Sequence, residues 1–460
     1  MKRWRIPILV AVLGGIAVGA LYVYNVVSDR TIAKQAYVPR PVTITPDVVM
    51  LQQYLRIDTS NPPGNETAGA RFLAAQIERA GVHAEVIESA PGRGNVYARI
   101  RGKRPGEGLL LLNHIDVVPA DNKGWTKPPF AGEQKLNALY GRGALDMKGI
   151  AICQLEAFLA VARRKSMPER DVIFLGTADE ERGGTMGIVW LLAHRPDIFE
   201  GVRYALNEGG INESYTERPS YVGVEIGSKM VVRTELWAPS RAAMQQARIA
   251  LEPYFSPSEP DRILPEVRLF LHDLAPTRIV QRRWLDDIDR TIAEGKFWDM
   301  ERPYKEATQN IVWAMQISGD AHGATMPVAL FNLPDEDPDR RLAWLAETVR
   351  PYGARIEKVV EKTGPTTLSP RNTPLFALIA SEAHRQWGNV PVGTEVLVAW
   401  YNDSRYLRPR GIVCYGLWPF QVDFYQTQTI HLNDERVRID WFQQGVQLMT
   451  RLVVRYATER

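Results

Sequence analysis

The stretch GLLLLNHIDVVP, residues 108–119, begins as an uninterrupted apolar run and ends in His114 and Asp116. A short apolar run of this kind is typical of a fully buried strand. Further along, the segment YGRGALDMKG (140–149) places Asp146 in a glycine-rich turn directly before a helical pattern. Imidazole nitrogen and carboxylate oxygen are ligands of zinc-type ions, and Asp116 could fix the tautomer of His114 through its other ring N–H. The stretch therefore indicates half of a metal site, although a His-x-Asp pair by itself is common by chance.

Three further polar clusters follow apolar segments. The cluster DEERGG (179–184) follows VIFLGT, NEGG (207–210) follows YAL, and HLNDE (431–435) follows Ile430. Each cluster comes where a strand ends and a turn begins, so all of them could lie at one edge of one sheet. The alternation of strands and helices up to Glu208 predicts an α/β fold with a mostly parallel sheet.

These separated motifs, in this order, resemble those of the di-zinc exopeptidase and aminoacylase family, which includes aminoacylase, glutamate carboxypeptidase and acetylornithine deacetylase. The resemblance extends from about Pro46 to the C-terminus. It is closest to the carboxypeptidase S branch, through the segments NDSR (402–405) and YGLWP (415–419). It implies a zinc-exopeptidase-like catalytic domain that cleaves a peptide or N-acyl amide bond adjacent to an amino-acid carboxylate.

The resemblance also implies the cofactor and the site residues. Two Zn²⁺ ions are expected, with Co²⁺ or Mn²⁺ as substitutes, and two such ions can share a hydroxide and polarise the carbonyl that it attacks. Glu180 would be the general base that takes the proton and later delivers it to the leaving amine, and Asp116 is the second catalytic residue. The implied ligands are His114 and Glu208 for one ion, Glu181 and His431 for the other, and Asp146 as the bridge.

The N-terminal segment predicts a transmembrane helix. Lys2, Arg3 and Arg5 precede an apolar run over residues 6–27 that contains no charge. A helix needs about 20 residues to span a bilayer, and the leading positive charges predict a cytoplasmic N-terminus and an exported remainder. A cleaved signal peptide, with a site at residues 18–20, is the alternative. Apolar residues continue past that site, which favours an anchor with the catalytic part in the periplasm or another exported compartment.

The chain is long enough for two domains. After residue 227 the pattern becomes strand, helix, two strands, helix and strand, which is the order of a ferredoxin-like α+β unit. The resemblance places an inserted lid domain there, through which a homodimer could form, and a long insertion at 252–310 enlarges it. The predicted organisation is an anchor or signal segment (1–27), a tether (28–45), a catalytic domain in two parts (46–226 and 365–460) and the lid (227–364).

The lid departs from the family pattern in the groups that would contact substrate. Where the family usually has a Gly-His turn, this chain has WAPS (237–240). His322, in GDAHG (319–323), could replace that histidine as an oxyanion donor, or it could be a solvated turn residue. Arg405 could bind a substrate carboxylate bidentately or form a structural ion pair. Asn402, the third candidate substrate-binding residue, stands where threonine is usual.

Composition narrows the function classes. The 56 basic and 53 acidic residues nearly cancel and form no basic block, which argues against nucleic acid as a partner. Cys153 and Cys414 lie outside any CxxC motif, so a disulfide framework and a thiolate metal site are not predicted. The leading hypothesis is an exported metallohydrolase acting on small peptides or N-acyl amino acids. The alternatives are a dipeptidase or non-peptide amidohydrolase, and a catalytically inactive metal-binding protein, against which the retained Glu180 argues.

Overall fold

The computed structural model describes residues 42–459, except 211, 213, 215–217, 253–254, 257–262, 278–281, 297–305, 365 and 398–400. The helices of this part are α1 (Pro46–Leu55), α2 (Glu66–Arg79), α3 (Lys148–Ala162), α4 (Ile188–His194), α5 (Arg241–Ala250), α6 (Pro265–Leu274), α7 (Arg282–Asp286), α8 (Ile288–Ala293), α9 (Pro338–Val349), α10 (Pro374–Trp387), α11 (Ser404–Leu407), α12 (Phe424–Thr427) and α13 (Ile439–Thr458). The strands are β1 (Ala84–Glu88), β2 (Gly94–Ile100), β3 (Arg104–His114), β4 (Glu133–Lys135), β5 (Ala138–Tyr140), β6 (Arg170–Thr177), β7 (Val202–Asn207), β8 (Val222–Ser228), β9 (Met230–Ala238), β10 (Phe255–Ser256), β11 (Asn310–Ala314), β12 (Ser318–Gly319), β13 (Ala324–Asn332), β14 (Arg355–Lys362), β15 (Val392–Leu397), β16 (Val413–Gly416) and β17 (Arg436–Arg438).

Eight strands form the main sheet, in the order β1-β2-β6-β3-β7-β16-β8-β15. The centre, from β6 through β3 and β7 to β16, is parallel, as is the pair of β8 and β15. The pairs β1/β2, β2/β6 and β16/β8 are antiparallel. The α/β class is therefore confirmed, and the sheet is mixed, with four parallel and three antiparallel neighbouring pairs. One physical reason is that only a short turn joins β1 to β2, and such a turn can connect antiparallel neighbours but not parallel ones.

Strand β3 is buried on both faces. Leu109 and Leu111 belong to the larger apolar core, which the helices α1, α2, α3 and α13 cover. Leu110 and Leu112 face the opposite core, which contains residues of α4. Because successive side chains of a strand point to opposite faces, a strand with helices on both sides must be apolar at every position. This explains the run of leucines that delivers His114 to the end of the strand.

The lid has its own antiparallel sheet. Its strands follow the order β10-β11-β13-β9-β14, and β12 pairs with β13. The four strands β11, β13, β9 and β14 have the order and antiparallel pairing of a ferredoxin-like unit. Side chains of α5 and α9 pack with this sheet in a separate core that includes Val232, Met244, Leu330 and Leu345. The chain thus folds its middle third around a second hydrophobic centre.

The described part of the insertion between the first two lid strands packs on the catalytic domain. Helix α6 lies against the edge strand β15. Its residues Val267 and Leu271 belong to the same core as Val222 and Val224 of β8. The insertion is therefore, in space, an addition to the main domain and not an enlargement of the lid core.

The predicted transmembrane helix, residues 6–27, and most of the predicted tether lie outside the described residues. Among the helices that the structure does describe, none has the length and apolar character needed to cross a bilayer. Both cysteines are in the described part, where Cys153 and Cys414 are buried and free.

Candidate metal centre

The predicted ligands meet at the carboxyl edge of the main sheet. His114 is the last residue of β3, Glu181 lies in a short 3-10 turn three residues after the end of β6, and Glu208 directly follows β7. Asp146 comes two residues before α3. His431 approaches from the segment between α12 and β17, with a positive φ of 62°. The edge at which parallel strands end is where ligand sites of α/β sheets form, and three of these five side chains lie at or just after the ends of strands of that sheet. His431, predicted to follow a strand, lies in a turn instead.

Asp146 presents one carboxylate oxygen to each histidine. Its Oδ1 lies 3.0 Å from His114 Nε2 and its Oδ2 lies 3.0 Å from His431 Nε2. Each imidazole has a second carboxylate beside it, because Glu208 Oε1 is 3.6 Å from His114 Nε2 and Glu181 Oε2 is 3.3 Å from His431 Nε2. Two ligand atoms on one tetrahedral zinc ion would be about 3.3 Å apart. The donor set and its spacing therefore fit two zinc-type ions that share Asp146.

The electrostatics of this cluster favour bound cations. Burial and the neighbouring Asp146 raise the pKa of Glu208 to about 8, and the same two causes raise the pKa of Glu181. Burial also opposes the charge of His431, yet its hydrogen bonds with Asp146 and Glu181 raise the pKa of this imidazole to about 11. Crowded buried carboxylates are costly without a compensating positive charge. Divalent cations would supply that charge and displace the protons.

Glu180 lies beside the ligands. It is 7% exposed. One potential ligand atom from each of His114, Glu180 and Glu208 lies within 4.8 Å of the other two. Its Oε1 is buried and has no hydrogen-bond partner in the described part of the chain. Burial and the charge of Glu208 raise its pKa well above the usual value. These are the properties expected of a carboxylate that receives a proton during a reaction.

Asp116 contacts the site differently from what the sequence suggested. His114 Nδ1 lies 2.9 Å from the main-chain carbonyl oxygen of Asp116 and 3.5 Å from its carboxylate Oδ1. The carboxylate instead accepts the backbone N–H groups of Glu180, at 3.1 Å, and Glu181, at 3.2 Å. The carbonyl therefore orients the imidazole, and the carboxylate holds the turn that carries the paired glutamates.

A second carboxylate beside that turn, the one of Asp179, accepts a hydrogen bond from Asn61. The Asn61 side-chain amide donates to Asp116 Oδ2 and to Asp179 Oδ1, both at 2.9 Å. Asp179 has a positive φ of 70° and also accepts from Arg93 Nη2 at 2.8 Å and Thr185 Oγ1 at 2.7 Å. Sequence reasoning assigned no such role to Asn61 or Asp179, although Asp179 directly precedes the paired glutamates.

Glu435 is another functional residue that sequence reasoning missed. It is fully buried, and its carboxylate accepts from the backbone N–H groups of Gly143, Leu145 and Asp146 at 2.9–3.1 Å. Arg142 Nη1 donates to the same carboxylate at 2.6 Å. Glu435 thus fixes the turn that presents Asp146. The one available signal was its position, four residues after His431.

The three candidate substrate-binding residues, Asn402, Arg405 and His322, lie in different surroundings. Asn402 is buried and donates to the main-chain carbonyl of Glu208 at 2.8 Å, so it supports a ligand turn. Arg405 lies near Glu180 and donates through Nη1 to Glu361 of the lid at 3.1 Å. His322 is exposed, at the end of β13 opposite Asn332, which pairs with Met230 beside the catalytic domain. That places it roughly 25 Å along the strand, so the structure does not bring His322 to the predicted ligands within one chain.

The fold and the carboxylate placed between two histidines are those of a candidate dinuclear metal site. Residues 110–455 match the family model described as Peptidase family M20/M25/M40, and the chain belongs to this family. The resemblance drawn from the motifs is thereby confirmed, although the region matched in the first aminoacylase relatives spans less than half of their length.

Similar proteins span aminoacylases and peptidases. Aminoacylase-1 of Sus scrofa is 34% identical over 168 residues, which are 36% of this chain and 41% of that protein. Aminoacylase-1B of Rattus norvegicus is 26% identical over 90% of this chain and 96% of its own length. Among solved structures, the M20 family metallo-carboxypeptidase Sso-CP2 from Sulfolobus solfataricus has a TM-score of 0.67 at 18% identity and covers 90% of this chain and 99% of its own. The dipeptidase Dug1p from Saccharomyces cerevisiae has a TM-score of 0.70 at 12% identity and covers 94% and 98%.

Proposed function

We propose that this enzyme hydrolyses a peptide or N-acyl amide bond next to an amino-acid carboxylate. The observation that carries the proposal is the position of Glu180, a buried carboxylate beside the candidate ligand set around Asp146. Its Oε1 has no hydrogen-bond partner among the residues that the structure describes. The relatives support the type of bond, because the similar sequences include aminoacylases and a succinyl-diaminopimelate desuccinylase from Methylorubrum extorquens. Both names refer to enzymes that cleave an amide bond.

The residues divide the work between metal binding and proton transfer. His114 and Glu208 would hold one ion and Glu181 and His431 the other, with Asp146 between them. Zinc in such a site supplies a low-pKa water and polarises a carbonyl oxygen. Glu180 then accepts the proton of the attacking water and donates it to the leaving nitrogen. Burial and the charge of Glu208 raise the pKa of Glu180, which favours the step in which it accepts the proton.

A Glu180→Gln substitution tests this assignment. The variant should keep its metal content while kcat falls at least ~10²-fold, the low end for general acid–base catalysis. Turnover is measured on a panel of N-acyl amino acids and dipeptides, with zinc determined on the same samples. Glu357→Gln, at an exposed lid position, is the matched control and should change neither quantity. Normal turnover by a fully metallated Glu180→Gln variant would remove Glu180 from the mechanism.

The same panel separates the leading hypothesis from its alternative. A deacylase or carboxypeptidase requires a substrate with a free carboxylate next to the cleaved amide and tolerates a blocked amino end. A dipeptidase requires the free amino group as well, so it should leave N-acyl amino acids intact. The leading proposal fails if only unblocked dipeptides are cleaved.

We also propose that residues 6–27 anchor the protein and that the catalytic domain faces an exported compartment. The proposal rests on the uncharged apolar run and the preceding Lys2, Arg3 and Arg5. A reporter fused after Arg460 should be active only if it functions outside the cytoplasm. Replacing residues 1–27 with a cleavable export signal should release an active, soluble enzyme. A cytoplasmic signal from the C-terminal fusion would overturn the orientation.

A further inference from the structure

We propose that Arg405 is the clamp for the substrate carboxylate, which it binds side-on through Nε and Nη2, and that Arg233 of the lid adds a second positive charge to the same subsite. This inference rests on the proposed function, because it assigns the atoms that would recognise the carboxylate next to the cleaved amide. The ligand class is a monoanionic carboxylate on the leaving amino acid.

The first observation is an unused edge on a buried guanidinium. Arg405 is only 6% exposed, and its Nη1 donates to Glu361 Oε1 at 3.1 Å. Its Nε and Nη2 are buried and have no hydrogen-bond partner among the residues that the structure describes. Leaving buried donors without acceptors is costly. A ligand that brings two acceptor oxygens to this edge would remove that cost.

The second observation is that the unused edge has the right shape. Nε and Nη2 form one side of the guanidinium fork, which can donate two parallel hydrogen bonds to the two oxygens of a carboxylate. The plane of the fork is held by aromatic rings, with the guanidinium carbon 3.7 Å from the ring centroid of Tyr401 and 4.7 Å from that of Tyr406. Tyr406 is itself held, because its hydroxyl donates to the carbonyl of Gly183 at 2.7 Å. Arg405 is thus oriented before any ligand arrives.

The third observation is the position of the edge relative to the reacting groups. Gly183 follows Glu180 by three residues, at the end of the same 3-10 turn. A β-carbon added at Gly183 would lie 3.8 Å from Arg405 Nη2, with no other atom within 4 Å. Nη2 therefore lies beside the turn that presents Glu180, so a carboxylate bound at this edge would lie near the group proposed for proton transfer.

The charges around the subsite favour an anion. Arg233 of β9 lies with its Nε 3.5 Å from Glu361 Oε2, and its guanidinium lies 5.2 Å from the ring centroid of Tyr401. Two guanidinium groups therefore share the single carboxylate of Glu361. Arg233 and Glu361 belong to the lid and Arg405 belongs to the catalytic domain, so a carboxylate bound here would lie between groups of both domains.

The alternative is that Arg405 and Glu361 only tie the lid to the catalytic domain. A purely structural ion pair would not distinguish a substrate carboxylate from a neutral amide. Comparing N-acetylleucine with N-acetylleucinamide isolates this difference, because the two compounds share the cleaved bond and differ in charge at the end that Arg405 would bind.

The decisive quantity is the ratio of kcat/KM for the acid to kcat/KM for the amide. In Arg405→Met this ratio should fall roughly 100-fold, the loss expected for two hydrogen bonds to a charged group, and mainly through KM for the acid. Arg405→Lys keeps the charge without the fork and should lose part of the ratio. Arg355→Met is the matched control, since Arg355 also stacks on an aromatic ring, Trp237 at 4.0 Å, but at an exposed lid position. An unchanged ratio in both Arg405 variants would overturn the clamp.

A binding measurement keeps the clamp testable apart from turnover. Metal-loaded Glu180→Gln protein should bind N-acetylleucine in calorimetry more tightly than N-acetylleucinamide, and adding Arg405→Met should abolish that difference. If the wild-type enzyme cleaves acid and amide equally well, the clamp and the requirement for an adjacent carboxylate are wrong, while the assignment as an amide hydrolase stands. If it cleaves neither compound, the acid and amide of a substrate cleaved in the panel take their place, and the proposed function fails only if the whole panel is left intact.

Discussion

Replacing Asp116 with asparagine should damage the paired-glutamate turn and leave the orientation of His114 intact. The Asp116 carboxylate accepts three N–H groups, from Glu180, Glu181 and the Asn61 side chain. An asparagine amide offers one oxygen, so in its better orientation one of these donors faces an NH₂ group. The loss combines one hydrogen bond to a charged group, about 1.5–3 kcal/mol, with one buried donor left unpaired, about 1–3 kcal/mol. Since 1.4 kcal/mol is a factor of ten, a loss of about 3 kcal/mol at this turn corresponds to roughly 10²-fold.

The assay follows zinc stoichiometry and kcat on the same preparation. Because the main-chain carbonyl of Asp116 is unchanged, the ion beside His114 should remain. Glu181 and Asn61 both donate to Oδ2, so the donor that loses its acceptor is the Glu180 N–H, and kcat should fall roughly 10²-fold while the ion beside Glu181, on the same turn, is weakened less. Asp287→Asn is the matched control, since Asp287 is exposed and accepts one backbone N–H, from Arg290, that asparagine can still accept. Loss of the ion at His114 before the one at Glu181, or full activity with both ions bound, would refute the reasoning.

Two further predictions follow from other contacts in the structure. Asp146→Ala removes the carboxylate that faces both histidines, so zinc content after dialysis should drop below two ions per chain. The control Asp197→Ala, at an exposed position, should keep both ions. Two ions retained by Asp146→Ala would disprove the shared-ligand assignment. Lys229 is buried beside the carbonyl of Gln309, and burial lowers its pKa from 10.5 to about 7. Above pH 7 the unfolded chain therefore binds a proton that the folded chain does not, so unfolding free energy should rise with pH between about 7 and 10, by at most about 1.4 kcal/mol per pH unit, relative to Lys229→Met. Parallel stability curves of the two proteins in denaturant titrations at pH 7 and pH 9 would contradict this.

The sequence by itself determined the α/β class, the family and the places where ligands occur. An apolar run such as residues 109–112 predicts a strand buried on both faces, and a polar residue at its end must lie at the sheet edge. This inference needs only the local sequence, because the residue after a strand lies at the sheet edge whichever strands are its neighbours. The five predicted ligands from His114 to His431 could therefore be proposed before any contact was known.

Only the tertiary structure decided which groups meet. Nothing near Asp116 in the chain reveals that its carboxylate would face the amides of Glu180 and Glu181 while its carbonyl takes the imidazole. The contact between Arg405 and Glu361 of the lid, like the direction of the outer strands and the packing of the insertion on β15, joins segments far apart in the chain. Such pairings depend on how domains pack and on which buried donors need acceptors, and periodicity along one segment carries no information about either.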